Sequence, residues 1–235
     1  MDYKVCILAA GIGKRMDYFT KTFNKALIPV QGKPAICHII EKFSKSIEIV
    51  IALGYKKETI VDYLFAAYPD RKLTFVEVDK YTGPGTGPGY SLLACKSHLQ
   101  TPFIFLSVDT LVSEDIPSPN RNWFGLAEVF DASRFCSAKI NETTMKITRI
   151  DDKVKVDGNL AFIGLAGVYD YTHFWQNLAS NKEIIAGEVQ VSNGFKSLIE
   201  KNMFGEVFTW FDTGTPSSYQ HAQENYPIGK GYNGL

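Results

Sequence analysis

A glycine-rich turn followed by two cations stands near the amino terminus. The residues of this run are, in order, Leu8, Ala9, Ala10, Gly11, Ile12, Gly13, Lys14 and Arg15. Glycines let a backbone approach a ligand closely and present its N–H groups to phosphate, while the two cations supply positive charge. The expected ligand is a triphosphate, and a tight surface turn without a ligand is the alternative. A Rossmann GxGxxG motif is excluded because Met16 occupies the third glycine position, and the P-loop pattern GxxxxGK[ST] is absent.

Two aspartates stand where strands are expected to end. Asp109 directly follows the apolar run FIFLSV, and Asp212 lies within WFDTGTP. In open α/β sheets, ligands bind at the carboxyl ends of the strands. Mg²⁺ prefers one or two carboxylates, with water and substrate phosphates completing its coordination. Placement and residue type make both aspartates candidate Mg²⁺ ligands, and an N-cap or Asx turn ahead of a helix at Pro216 is the structural alternative for Asp212.

A second block, NKALIPVQGKP at residues 24–34, follows the glycine turn. Together with LAAGIGKRM at residues 8–16, it resembles the sugar-1-phosphate nucleotidylyltransferases of the nucleotidyltransferase superfamily, whose signature is LAAGxGxRM followed by PKALxPVxGKP. Asn24 stands where that family has proline. The resemblance implies that the glycine turn binds the nucleotide and that Arg15 and Lys25 are catalytic, contacting the triphosphate or its pyrophosphate leaving group. Taken alone, Lys25 would be interpreted as a solvated surface lysine.

The same resemblance implies roles for further positions. The two aspartates match the family's metal-binding pair. Gly85 and Thr86 correspond to a loop whose backbone helps to read the nucleotide base. Lys153, in the segment IDDK, matches a lysine that holds the phosphate of the acceptor. Glu188 matches an acidic residue that binds the acceptor's hydroxyl groups, and a glutamate at the start of a helix, favoured by the helix dipole, is the alternative for it.

Strand-like and helix-like segments alternate up to Asp109, which is typical of a parallel sheet covered by helices. The predicted strands of this half are Tyr3–Ala10, Ile47–Leu53, Leu73–Val78 and Phe103–Val108. The predicted helices are Pro34–Ser46, Lys56–Ala67 and Tyr90–His98. The segment Gly83–Gly89 is too rich in glycine and proline for regular structure and is predicted to be a loop.

Shorter strand-like segments, separated by turn residues, follow Asp109 and indicate an antiparallel half. The predicted strands are Phe124–Phe130, Phe135–Ile140, Met145–Ile150, Leu160–Tyr169 and Val207–Phe211. The predicted helices are Tyr171–Ala179, Val191–Lys201 and a last one from Pro216.

The fold class predicted from these elements is α/β: a Rossmann-like, mostly parallel sheet flanked by helices, with a smaller antiparallel lobe that binds the acceptor. The resemblance makes this a GT-A-like nucleotidyltransferase fold. We expect a single domain over residues 1–235, with a nucleotide-binding half at 1–112 and an acceptor-binding half at 113–235. A chain of 235 residues is long enough to bury a substantial core.

Composition argues against several classes of partner. The chain has 25 Lys and Arg against 25 Asp and Glu, so its net charge is zero, and it has no long basic run for nucleic acid or an anionic membrane. Its four cysteines form no CxxC pair, and no apolar run approaches the roughly 20 residues that span a bilayer. We expect a cytoplasmic protein without nucleic-acid or membrane partners; whether it is a homo-oligomer is left open.

The function predicted from these observations is Mg²⁺-dependent nucleotidyl transfer. An NTP would donate its NMP to a sugar-1-phosphate or to a small phosphorylated alcohol such as choline phosphate, releasing pyrophosphate. A pyrimidine nucleotide, and CTP in particular, is favoured because the chain is small and resembles the short cytidylyltransferases. The product would be an activated donor for a capsule or another cell-surface polysaccharide. A nucleotide-sugar-dependent glycosyltransferase and a non-catalytic, nucleotide-sensing homologue are the alternatives.

Overall fold

The computed structural model describes residues 2–16, 18–152, 158–181 and 183–227. Its strands are β1 (Lys4–Ala9), β2 (Pro29–Val30), β3 (Lys33–Pro34), β4 (Ile49–Leu53), β5 (Leu73–Glu77), β6 (Phe103–Ser107), β7 (Thr110–Val112), β8 (Trp123–Glu128), β9 (Cys136–Ile140), β10 (Ile147–Asp152), β11 (Leu160–Val168), β12 (Ile184–Ile185), β13 (Glu188–Val189), β14 (Phe204–Val207) and β15 (Trp210–Asp212). Its α-helices are α1 (Tyr18–Thr22), α2 (Ala35–Ile40), α3 (Lys57–Ala67), α4 (Pro88–Ala94), α5 (Tyr171–Ser180), α6 (Ser192–Phe195) and α7 (Pro216–Asn225).

One mixed sheet forms the centre of the molecule. Its strands run in the order β10-β9-β11-β6-β1-β4-β5, while β8 pairs with β11 and β14 pairs with β8. The pairs β1–β4, β1–β6 and β4–β5 are parallel, whereas β11 is antiparallel to β6, β8 and β9. The predicted α/β fold class is confirmed. The antiparallel strands extend the same sheet, so strands from both predicted halves lie side by side.

The core occupies both faces of this sheet. Along β1 the side chains alternate, so that Val5, Ile7 and Ala9 join one apolar cluster and the intervening residues join the other. Both clusters are buried, which explains why β1 is apolar along its length rather than alternating with polar residues. This burial fixes the end of β1, from which the glycine turn departs.

Several predicted segments differ from the structure. The predicted loop Gly83–Gly89 is shorter, because α4 begins at Pro88. The predicted strand Val207–Phe211 is divided, because β14 ends at Val207 in the central sheet while β15 pairs with β7 in a separate small sheet. The chain crosses between the sheets at residues 208 and 209, where Phe208 N bonds to Leu126 O and Ser113 N bonds to Thr209 O. The predicted helix Pro34–Ser46 is also shorter, because Pro34 belongs to β3 and α2 ends at Ile40.

Further elements refine the prediction. The predicted helix Val191–Lys201 consists of α6 followed by a 3-10 helix at Lys196–Lys201. The short elements α1 and β7 were not predicted, since five and three residues are too few to establish a periodic pattern. Within the described ranges, none of the helices combines the length and apolar character needed to cross a bilayer.

Candidate active site

The glycine turn follows β1 and brings two cations to the wall of a cavity. Gly13 has a φ of +72°, and a Cβ there would lie 3.0 Å from Thr20 Cγ2, so both conformation and space favour glycine. Met16 N donates a 2.9 Å hydrogen bond to Gly13 O and closes the 3-10 turn Lys14–Met16. This turn places Lys14 and Arg15 along the cavity wall.

The first cavity has a volume of about 660 Å³. The glycine turn with its cations and residues of the uncharged loop from Tyr81 to Pro88 both line this cavity. The predicted site residues that line it are Leu8, Ala10, Gly11, Ile12, Gly13, Lys14, Arg15, Lys25, Thr86, Asp109 and Glu188. Such an arrangement suits a nucleotide whose phosphates face the cations.

Two predicted nucleotide-binding residues do not line this cavity. Ala9 is fully buried and its side chain belongs to the core, because successive side chains of β1 point to opposite faces of the sheet. Gly85 instead donates a 3.0 Å backbone hydrogen bond to Gly187 O, which ties the Tyr81–Pro88 loop to the segment before Glu188.

Lys25 and Asp109 form an ion pair at the cavity floor. Lys25 Nζ donates a 2.7 Å hydrogen bond to Asp109 Oδ2, and both side chains are largely buried. Burial acts to raise the pKa of Asp109, but the charge and hydrogen bond of Lys25, with the nearby charge of Arg15, outweigh it. The net pKa of Asp109 therefore lies below its usual value. The interpretation of Lys25 as a solvated surface residue is wrong.

Strand pairing brings Asp212 to the same place. β15 is antiparallel to β7, with Asp212 opposite Thr110, and Thr213 N donates a 2.9 Å hydrogen bond to Asp109 O. The Asp212 carboxylate accepts a 2.9 Å bond from Gly214 N, which is the predicted Asx-type turn. The cap of α7 is Thr215 rather than Asp212, so the carboxylate is not used as the helix N-cap.

Gly214 lies between the two carboxylates and Arg15. A Cβ at this position would lie 2.9 Å from Asp212 Oδ1 and 3.1 Å from both Asp109 Oδ2 and Arg15 Nη2. Burial raises the pKa of Asp212, and the neighbouring Asp109 charge raises it further, against opposing contributions from Ser218, Gly214 and Arg15. Two carboxylates that converge and repel each other fit a divalent cation.

Mg²⁺ fits this donor set. Asp109 and Asp212 supply two carboxylates, and an ion held there would still need water and phosphate oxygens to complete its shell. In the part of the chain that the structure describes, no group of three or more His, Cys, Asp and Glu side chains forms a metal cluster. The geometry therefore suits an ion that binds together with its phosphorylated substrate.

A second cavity, of about 530 Å³, adjoins the first. Arg15, Asp109 and Glu188 line both cavities, and Asp212 lines the second. The carboxylates and cations therefore converge where the two cavities adjoin, and this arrangement allows a ligand in each cavity to meet there.

Buried polar groups in the second cavity point to a ligand. Ser192 Oγ and Trp210 Nε1 are buried and have no hydrogen-bond partner among the residues described, although buried polar atoms are normally paired. Both residues line the cavity, together with the aromatic ring of Phe135. Asp152 also lines it and lies 3.0 Å from Lys196 Nζ. The predicted acceptor residue Lys153 falls outside the described residues.

Glu188 lies in β13 rather than at the start of a helix, so the helix-dipole alternative is wrong for this residue. Its carboxylate accepts a 3.2 Å hydrogen bond from Gln190 Nε2. Val189 N donates a 2.7 Å hydrogen bond to Thr86 O, which attaches this strand to the Tyr81–Pro88 loop. Glu188 is thereby held at the boundary between the two cavities.

Sequence reasoning missed Gly214 and Asn24. The signal for Gly214 was its place two residues after an aspartate predicted to bind metal. The signal for Asn24 was its departure from the proline of the family signature, because a polar residue that replaces proline before a lysine predicted to be catalytic needs a structural reason.

Comparison with known proteins supports the resemblance that the sequence motifs predicted. Residues 5–117 match the family model described as the MobA-like NTP transferase domain. The bifunctional protein GlmU of Methanococcus vannielii is 29% identical over 224 residues, which cover 89% of this chain and 51% of that protein. The chain thus spans about half the length of this curated relative. The predicted resemblance to nucleotidyltransferases is confirmed.

Solved structures share the fold over the whole chain. A putative glucose-1-phosphate thymidylyltransferase from Bacillus anthracis, crystallised with sucrose, superposes with a TM-score of 0.80 at 25% identity and covers 99% of each chain. The CTP:phosphocholine cytidylyltransferase of Streptococcus pneumoniae superposes with a TM-score of 0.76 at 24% identity, covering 95% of this chain and 99% of that one.

Proposed function

We propose that this chain, which carries a MobA-like NTP transferase domain and resembles sugar-1-phosphate nucleotidylyltransferases, is a Mg²⁺-dependent nucleotidyltransferase. It transfers the NMP of an NTP to the phosphate of a small acceptor and releases pyrophosphate. The observation that carries the proposal is the meeting of Asp109, Asp212, Arg15 and Lys25 at the junction of two cavities.

The chemistry requires no general base from the protein. A phosphate monoester has its second pKa near 6, so the attacking phosphate of the acceptor is already ionised at pH 7. The obstacle is the repulsion between two anionic substrates. Arg15 and Lys25 act against this repulsion with fixed positive charge at the wall of the nucleotide cavity. Adjoining cavities hold the two phosphates next to each other, which removes much of the entropic cost of their encounter.

Asp109 and Asp212 are the residues that would hold Mg²⁺. When bound, the ion supplies Lewis-acid stabilisation of charge on the phosphoryl oxygens. Lys25 contributes beyond its own charge, because it keeps Asp109 ionised and therefore ready to bind a cation.

The acceptor is proposed to occupy the second cavity. Ser192 and Trp210 offer buried hydrogen-bonding groups, and Phe135 offers an apolar ring surface. Glu188 is placed to accept a hydrogen bond from a hydroxyl group. These features suit a sugar-1-phosphate or a small phosphorylated alcohol, and Lys153 remains the candidate ligand for its phosphate.

For the nucleotide we propose a pyrimidine triphosphate, with CTP as the first candidate. Support comes from the fold that it shares with a cytidylyltransferase. The product would then serve as an activated donor for a cell-surface polysaccharide such as a capsule.

The test is a matrix of the four NTPs and dTTP against hexose-1-phosphates, choline phosphate and other phosphorylated alcohols, with pyrophosphate release as the readout. We expect release that requires both an NTP and an acceptor and that stops on chelation of Mg²⁺. Release of a nucleoside diphosphate from a nucleotide-sugar would instead indicate a glycosyltransferase. Binding of nucleotide with no turnover for any pair would indicate a non-catalytic homologue.

A further inference from the structure

We propose that Asn24 is a positioning residue that holds the Lys25 turn and the glycine turn in a fixed relation to each other. The inference rests on the proposed function, because that function gives Lys25 its role in binding the nucleotide. It concerns the position at which this chain departs from the proline of the family signature.

The Asn24 side chain is fully buried and is anchored in three directions. Its Nδ2 donates to Ala9 O at 3.1 Å and to Tyr55 O at 2.7 Å, and its Oδ1 accepts from Ala26 N at 2.9 Å. Both amide protons are therefore used. Each bond ends on a backbone group, so the side chain ties together three segments of main chain.

These segments are the ones that must be aligned for phosphate binding. Ala9 is the last residue of β1, directly before the glycine turn, and Tyr55 follows the neighbouring strand β4. Asn24 also caps the 3-10 helix Lys25–Leu27, with Leu27 N donating to Asn24 O at 3.0 Å. The backbone of Lys25 is thus fixed relative to two strands of the central sheet.

A second set of contacts returns to the glycine turn. Tyr55 OH donates to Thr20 O at 3.1 Å, and Thr20 Oγ1 donates to Gly13 O at 3.4 Å. A Cβ at Gly13 would lie 3.4 Å from Lys25 Cβ, so the two turns are already in close approach. Movement of Asn24 would therefore displace both the glycine turn and the Lys25 turn, which line the first cavity.

The backbone at Asn24 explains how asparagine and proline can both serve here. Asn24 has φ −65° and ψ 146°, and a φ of about −65° is the value that a proline ring imposes. Proline would preserve this φ but could not donate to Ala9 O or Tyr55 O. In this chain, hydrogen bonds from the side chain provide the constraint.

The test combines Asn24→Ala and Asn24→Pro with Lys25→Ala in double-mutant cycles. The proline variant keeps the native φ and guards against misfolding, and Asn141→Ala, which removes an exposed Asn cap from a distant turn, is the matched control. We expect Asn24→Ala to lower kcat about 10- to 100-fold, with a smaller change in KM for NTP, because misplacement of about 1 Å is costly. Asn24→Pro, which keeps the native φ but loses the hydrogen bonds of the side chain, should lower kcat less than Asn24→Ala. In the Lys25→Ala background the same changes should lower kcat less than about twofold.

Equal effects of Asn24→Ala in the wild-type and Lys25→Ala backgrounds would overturn the proposal, as would wild-type kcat in Asn24→Ala. A second readout does not need turnover: in a crystal structure of Asn24→Ala, Lys25 Nζ should be displaced from its 2.7 Å contact with Asp109 Oδ2, and an unchanged contact would overturn the proposal. If the wild type gives no pyrophosphate with any substrate pair, the proposed function fails, and the position of Lys25 in this crystal structure still decides whether Asn24 positions it.

Discussion

Lys25 Nζ lies 2.7 Å from Asp109 Oδ2, although the two residues are 84 positions apart in the chain. The pair joins the turn after the glycine block to the end of β6. Because both side chains are largely buried, salt screens their interaction much less than that of an exposed pair. One contact therefore links the cation proposed to bind phosphate to a carboxylate proposed to bind the metal.

The carboxylate pair gives the first prediction. Asp109→Ala or Asp212→Ala should lower kcat for pyrophosphate release by at least about 10²-fold, since each removes a major electrostatic contribution to the transition state. Asp62→Ala, which alters an exposed aspartate on α3, is the control and should retain full activity. Wild-type rates in either purified site variant, with unchanged circular dichroism, would contradict the metal assignment.

Removal of Lys25 should change the pH profile as well as the rate. In Lys25→Ala the burial of Asp109 is no longer outweighed, so its pKa rises and the acid limb of kcat/KM moves to higher pH. In the wild type, the lowered pKa gives stability above the unfolded value of about 3.9, which is lost as pH falls through the folded pKa. The variant should lack this stability at neutral pH. If the acid limbs of the wild type and of Lys25→Ala fall at the same pH, the proposed coupling between Lys25 and Asp109 is contradicted.

Asp212→Asn should stabilise the metal-free protein while abolishing turnover. Burial and Asp109 raise the pKa of Asp212, so its ionised form costs stability once pH exceeds the folded pKa. We expect a gain in Tm of about 2–4 °C at pH 7, the shift for roughly 1 kcal/mol in a chain of this size. The gain should vanish near pH 3, where the wild-type carboxyl is protonated. Thermal unfolding in EDTA across this range is the measurement, and a loss of Tm at pH 7 would oppose the argument.

Gly214→Ala should weaken the metal site without removing a ligand. The added Cβ would press against Asp212, Asp109 and Arg15 at 2.9–3.1 Å, and these side chains must move apart. The Mg²⁺ concentration for half-maximal activity should rise about tenfold. Ser217→Ala, an exposed change on the next helix, provides the control. Isothermal titration with Mn²⁺ gives an independent affinity, and unchanged binding would show that the site tolerates the methyl group.

Much of the site could be predicted because its residues stand at the ends of apolar strands. Asp109 follows β6, and the glycine turn follows β1, so topology alone brings them to one edge of the sheet. The resemblance to the family signature added Lys25, whose burial no local pattern indicates. The alternation of β1 would also have removed Ala9 from the nucleotide-binding set, since its neighbours Leu8 and Ala10 face the cavity.

The remaining features depend on contacts between distant segments. Asp212 meets Asp109 through the pairing of β15 with β7, two three-residue strands that are too short to predict from periodicity. The break between β14 and β15 has the same origin, because the chain changes sheets within the strand-like run Val207–Phe211. To predict the hydrogen bonds of Asn24, one must know which backbone carbonyl groups lie near its side chain, and only the folded structure shows that.

The wall shared by the two cavities has a consequence for inhibitor design. Since Arg15, Asp109 and Glu188 line both spaces, a compound that joins a nucleoside to an acceptor mimic would place its linker beside these three residues. Tethering the halves makes the second association intramolecular, with an effective concentration in the millimolar range for a short linker. Bisubstrate compounds of this kind should therefore bind far more tightly than either fragment.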